Sequence, residues 1–402
     1  MRIAITGVGC ISAIGHNYSE FSRNLLDGVD GISTISLFDR SLVNRQYVAE
    51  VKNYNASDHF DVKKQIPYLD RFAEFAVLSA REAFIQAGLL NSEYLDDIAI
   101  TFGCGIGGLH TLEEGYQTLL GEGNKRVAPF TLPKLLPSAT TSQISLNLGI
   151  KGPCFGVSSA CASSSHAIVT AAMLIQTGQA KIALCGGAEA PVTFGTIKVW
   201  EALRVLSKEK CEPFSAGRGG VILGEGSGTL ILEDYDHAIN RGANVLAELV
   251  GFGMSSDAYH VVSPCVKGME KAMTKALENA ELLPEDIQYI NAHGSGTVQN
   301  DSLETEAIRN VFGKNADKIA VSSTKSMHGH VLSGGGAIEA VACITALEYQ
   351  TAPPTINFVA GDPKCDLDYV PNKARSMPIN YVMSNSFAFG GLNSCLIFKK
   401  AT

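Results

Sequence analysis

The chain predicts an α/β fold on three grounds. Short β-rich apolar runs alternate with longer stretches whose apolar residues recur at helical spacing. Many of the 40 glycines fall just after those runs, where strand-to-helix turns are tight, and no Pro/Ser linker or low-complexity stretch breaks the alternation.

Taken in order, RIAITGV (2–8) reads as the first strand, its glycines and lone Arg2 fitting a strand better than a cleaved leader. DRFAEFAVLSAREAFIQAG (70–88) reads as a helix, and DIAITFG (97–103) as the next strand. GVSSACASSSHAIVTAAMLI (156–175) predicts a strand ending near Val157 and a helix beginning at Cys161 or just after it. KIALCGG (181–187) and NVLAELVGFG (244–253) are strands, GMEKAMTKALENAEL (268–282) is a helix, and YINAHG (289–294), KIAVSST (318–324) and YVMSNSF (381–387) are strands.

Two passages echo. VSSACASSSHAIVTAAMLI, from Val157, and VSSTKSMHGHVLSGGGAIEAVACITAL, from Val321, both run from a strand through small residues into an apolar helix, and RIAITGVGCISAIG resembles NVLAELVGFGMSSD. The expectation is two related halves, 1–245 and 246–402.

At 402 residues and 46% hydrophobic content the chain can bury a large core. A net charge of -8 argues against general affinity for nucleic acid or an anionic membrane. Ten scattered cysteines without a CxxC pair suit small buried hydrophobes in a reducing compartment, and no apolar run reaches the roughly 18 residues that span a bilayer. A cytoplasmic location is the expectation.

Cys161 stands apart because a helix start would aim unpaired backbone N–H groups and the positive helix end at its sulfur, a setting that lowers a thiol pKa. Small neighbours leave room for a substrate, and the cysteine's own N–H can help hold an oxyanion. A buried structural cysteine at a tight turn is the alternative. INAHGSGT (290–297) places His293 at a strand end, and STKSMHGH (323–330) places Lys325, His328 and His330 after another. Two histidine loops and a helix-start cysteine on one scaffold suit acyl chemistry, with a thioester on sulfur and imidazoles stabilising charge on a second carbonyl. Zinc is the competing use of HGH, but the set lacks the repeated ligand spacing of a metal site. NSFAFGGLN (385–393), with Phe387 and Phe389 among small residues, is a candidate aromatic gate or simply a glycine-rich turn.

SSACASS, GGAEA, EPFSAGRGGVILGEGSG, AELVGFGMSSDAYH, AHGSGT, SSTKSMHGH, PPTIN and NSFAFGG together resemble, in order and spacing, the elongating, decarboxylating β-ketoacyl-acyl carrier protein synthases. That resemblance implies a thiolase-like five-layer α-β-α-β-α fold of two duplicated halves, usually dimeric. It implies an acyltransferase with Cys161 as acyl acceptor and His293 and His330 supporting decarboxylation of malonyl-carrier protein. By the same resemblance Lys325 orders the second histidine loop with Glu304 as its buried acidic partner, and Phe389 is the gate whose N–H joins that of Cys161. Ser295 and Thr297 meet the phosphopantetheine arm, which the acyl carrier protein supplies; no cofactor or metal of the chain's own is implied. Ile106 and Trp200, with Phe387 nearby, bound the acyl pocket, and Lys125, Arg126 and Arg204 dock the carrier. The second subunit is another copy or a chain-length-factor-like paralogue. Departures at His328, Ser215, Gly219 and Leu392 point to a diverged member of fatty-acid or polyketide synthesis. A non-catalytic chain-length-factor-like subunit and a thiolase-type acyltransferase are the rival readings.

Overall fold

The computed structural model describes residues 2–90, 92–121 and 126–401. Ten strands hydrogen-bond into one mixed sheet among the described residues: β1 Ile3–Ser12, β2 Ala99–Gly103, β3 Cys154–Val157, β4 Ile182–Glu189, β5 Gly226–Asp234, β6 Ala247–Ser256, β7 Tyr289–Asn291, β8 Ala320–Ser322, β9 Tyr381–Ala388 and β10 Leu392–Lys400. The spatial order is β8-β7-β9-β10-β6-β1-β5-β4-β2-β3. Read outward from the centre, the first half runs β1-β5-β4-β2-β3 and the second runs β6-β10-β9-β7-β8. The directions match as well, since the first three strands of each block are antiparallel and the last pairings parallel. A short antiparallel contact, Ile3↔Leu249 to Ile5↔Ala247, joins the blocks.

The helices that frame the site are α1 Arg71–Gln86, α2 Leu109–Leu120, α3 Ala139–Leu148, α4 Ser163–Gln176, α5 Phe194–Leu203, α6 Val266–Ala280, α7 Val298–Phe312 and α8 Gly335–Tyr349. Five layers result. α1 and α3 cover the outer face of the first block, α6 and α7 that of the second, and α4 and α8 lie between the blocks. This explains the composition of α8, buried from Gly335 to Leu347, because a helix enclosed on all sides must be apolar all round. Likewise β1 is buried at every position and reads as a continuous apolar run.

Two strands escape the sequence reading, for different reasons. β5 opens Gly-Ser-Gly-Thr, poor in strand formers, and β10 begins Leu-Asn-Ser-Cys at the end of the stretch NSFAFGGLN, read as a gate or a turn. The repeat RIAITGVG/AELVGFG has a packing cause. A Cβ on Gly7 or Gly9 of β1 would fall 2.1 or 2.0 Å from the Ala83 or Ser79 carbonyl oxygen of α1. On Gly251 or Gly253 of β6 it would fall 2.6 or 2.1 Å from that of Ala276 or Ala272 of α6. In both halves the first strand touches its outer helix backbone to backbone, which only glycine permits. Gly253→Ala should therefore cost about 1–3 kcal/mol of stability by overpacking, read as a lowered urea midpoint with unchanged slope.

Candidate functional site

Between β3 and α4 the chain turns through Ala160, whose φ of +51° is unusual for a residue with a side chain, and Cys161 comes immediately after it. The turn is tied by short hydrogen bonds: Ser159 N donates to Ser163 Oγ at 2.9 Å, and that hydroxyl donates to Ala160 O at 2.6 Å. Cys161 is 7% exposed, and the N–H groups of Phe389 and of Cys161 itself are directed at its sulfur. The expected drop in thiol pKa is overturned. Burial pushes the thiol up to about 11, outweighing the Lys325 ammonium and both N–H groups. A helix end and a nearby cation do not compensate a sulfur so thoroughly removed from water.

His293 lies just past β7. Its backbone N–H and that of Gly294 donate to the two Glu304 oxygens, each at 2.8 Å, and its carbonyl accepts from Lys325 Nζ at 2.6 Å. His330 donates its N–H to Ile222 O at 2.7 Å and accepts from Gly224 N at 3.0 Å. The two imidazoles meet edge to face with centroids 5.4 Å apart. Burial, reinforced by the Lys325 charge, holds both rings well below the usual histidine range and so neutral. Each is therefore able to donate one proton in a hydrogen bond without carrying charge.

Phe389 caps this arrangement. Its ring stacks on Trp200 with centroids 5.9 Å apart, and the loop behind it turns through Gly390 and Gly391 at φ +80° and +69°. One cleft is lined by Cys161, His293 and His330 at its base, by Trp200, Phe387 and Phe389 along a wall, and by Ser295 and Thr297. Ser295 Oγ and Thr297 Oγ1 lie 2.9 Å apart, and Thr297 also caps α7 by accepting from Asn300 N. A thiol, two N–H donors and two neutral imidazoles in one apolar cleft can run thioester transfer and stabilise an enolate.

The family model described as "Beta-ketoacyl synthase, N-terminal domain" matches residues 1–238, and "Beta-ketoacyl synthase, C-terminal domain" matches 246–359. The chain belongs to the β-ketoacyl synthase family. This synthase is 44% identical over 400 residues to Nodulation protein E of Rhizobium leguminosarum bv. trifolii, covering 99% of each chain. It is 42% identical over 408 residues to 3-oxoacyl-[acyl-carrier-protein] synthase 2 of Staphylococcus aureus strain MRSA252, covering 100% of this chain and 98% of that one. The structure described as "The ishigamide ketosynthase/chain length factor" superposes with a TM-score of 0.94 at 32% identity, covering 100% of this chain and 99% of that one. The thiolase-like fold and the condensing-enzyme class are thereby established.

Not every expected residue of the synthase joins the cleft. Lys325 and Glu304 lie behind it, and their expected pairing is corrected: the Lys325 ammonium forms its ion pair with Glu339 of α8, while Glu304 is occupied by the His293 and Gly294 backbone and by Asn385 Nδ2 at 3.3 Å. Two backbone N–H groups claim the Glu304 oxygens, whereas Glu339 faces the ammonium directly. Glu339 escapes the sequence reading, although a single acid inside the apolar run AIEAVACITAL is a readable signal. Ile106 is 46% exposed and lines a second groove, between α2 and α5, that meets the cleft at Trp200. Arg126 and Arg204 are exposed, and Lys125 lies outside the described residues.

Of the two imidazoles in HGH, His330 lines the cleft and His328 does not. His328 Nδ1 donates to Gly329 O at 2.9 Å and Nε2 meets Thr324 Oγ1 at 3.0 Å, so both nitrogens are spent inside their own loop, and the ring is held down to about 3. His328→Thr should thus leave turnover within about threefold, whereas His330→Ala should lower it by about 100-fold or more in a condensation assay. The thiol makes a separate prediction: with its pKa at about 11, iodoacetamide alkylation of Cys161 should climb about tenfold per pH unit from 7 to 10, with no plateau near 8.

Proposed function

We propose that this synthase accepts an acyl group from acyl carrier protein on Cys161 and extends it by two carbons from malonyl-carrier protein. The observation that carries the reading is the single cleft joining Cys161 to two buried neutral imidazoles and two converging N–H groups. The Cys161 sulfur attacks the incoming thioester, and the carrier's phosphopantetheine thiol departs with the proton. A malonyl unit then enters past Ser295 and Thr297. Loss of carbon dioxide leaves an enolate whose oxygen accepts hydrogen bonds from His293 and His330; its carbon attacks the acyl-cysteine carbonyl, the carbon–sulfur bond breaks, Cys161 leaves as a thiolate that takes up a proton, and the 3-ketoacyl product remains on the carrier thiol.

The substrates arrive on acyl carrier protein, in line with the name of the Staphylococcus relative, and the phosphopantetheine arm comes with the carrier. The carrier's acidic surface would meet the exposed Arg126 and Arg204, with Lys125 next to Arg126 in sequence. Exposed Ile106, Leu112, Tyr116, Leu120 and Val199 suit burial under a second subunit, either another copy or a chain-length-factor-like paralogue. The two domain units are 1–245, which supplies Cys161, and 246–402, which supplies both histidines. No helix among the described residues is long and apolar enough to cross a membrane, in keeping with work in the cytoplasm. A non-catalytic partner role is disfavoured by the intact cleft.

The test is acyl loading without malonyl donor, read by intact mass and peptide mapping. The acyl group should map to Cys161 alone, although Cys154 is the more exposed thiol. Transfer to Cys154, or condensation surviving Cys161→Ala, would overturn the reading.

A further inference from the structure

The two N–H groups directed at the Cys161 sulfur come from separate parts of the chain. One belongs to the turn between β3 and α4, the other to Phe389 in the loop that closes the β9–β10 hairpin. A carbonyl oxygen gains from both donors only while each stays about 3 Å from it, so turn and hairpin must be held in fixed relation. His166, in the first turns of α4, touches both. Its Nδ1 lies 2.6 Å from Ser159 Oγ, two residues before Cys161, and α4 packs against β10, where the Asn393 backbone, four residues after Phe389, favours a proton on the same ring.

Each end of this bridge is firmly seated. Ser159 N is bonded to Ser163 Oγ, which in turn fixes the carbonyl of the positive-φ Ala160. On the other side Asn393 Nδ2 donates to Asp257 Oδ1 at 2.6 Å and to Gly391 O at 3.3 Å, and Asp257 N donates to Gly391 O at 2.9 Å. The position of Asn393 therefore sets that of the Phe389–Gly391 loop. Burial lowers the imidazolium tendency of His166, and a neutral ring with one acceptor and one donor nitrogen matches a serine hydroxyl on one side and a backbone carbonyl on the other.

We propose that His166 is a positioning residue for the oxyanion hole: by bonding Ser159 and the Asn393 backbone at once, it holds the Cys161 and Phe389 N–H groups at the spacing that thioester attack requires. In that step the sulfur–carbon bond forms, the carbonyl oxygen takes the charge between the two N–H groups, and collapse expels the carrier thiol with the proton from Cys161. The inference rests on the reading of Cys161 as acyl acceptor.

The experiment compares two reactions of the same sulfur in the full-length protein. Acyl transfer from acyl-carrier protein develops an oxyanion, whereas alkylation by iodoacetamide does not. His166→Leu should slow acyl transfer by about 10–100-fold while leaving Cys161 alkylation within about threefold. His166→Gln, which keeps one donor and one acceptor, should recover most of the loss, and Ser159→Ala should give a smaller selective drop. Unchanged acyl transfer overturns the proposal, as does a parallel fall in both reactions, which would mean a disordered nucleophile turn. If His166→Leu loses its cooperative melt, the ratio of the two rates in His166→Gln and Ser159→Ala decides by the same criterion. Failure of the wild-type protein to load at Cys161 overturns the proposed function, and this inference with it.

Discussion

The ammonium of Lys325, 1% exposed, is the charge on which the catalytic end of this protein depends. An unpaired ion at such depth would cost several kcal/mol, so its position is dictated by Glu339, its carboxylate partner on α8. From there it reaches the His293 carbonyl, while Glu304 from α7 takes the His293 and Gly294 N–H groups. The backbone of one proposed catalytic histidine is thus held from both sides by opposite charges on two helices. The same ammonium helps keep both imidazoles uncharged, because a second buried cation beside it would be repelled.

The duplicated architecture explains why the reacting groups meet at all. Each half sends one helix into the central layer, and the two approach through small residues: a Cβ on Gly336 of α8 would lie 2.2 Å from Ser165 Oγ of α4. Cys161 precedes the N-terminus of α4, and His330 precedes that of α8. One structural slot, used twice, holds a thiol in one half and an imidazole in the other. His293 occupies a further strand end of the second half, where side chains can face a crevice without breaking the sheet.

Much of this was legible in the chain because strand ends and glycines leave marks in sequence. Cys161, His293 and His330 sit where small residues separate a strand from the next element, and the GVG and GFG pairs record a backbone contact repeated in both halves. The illegible part depends on depth and direction. The thiol's pKa turned on how completely the fold dries the sulfur, which no local pattern reports. The partner of Lys325 was decided by which of two acids already had its lone pairs filled. His166, one histidine among serines, shows its proposed role only once the β9–β10 hairpin is packed against α4.

Trp200 is the single tryptophan of the chain, and it stacks on Phe389 at the wall of the cleft. Intrinsic fluorescence therefore reports one place in this protein, without a label and without background from other indoles. Any displacement of the Phe389 loop exchanges an aromatic neighbour for solvent and changes the emission. The protein carries its own optical reporter at the mouth of its reaction chamber, which puts loop opening and acyl arrival within reach of stopped-flow measurement on the unmodified chain.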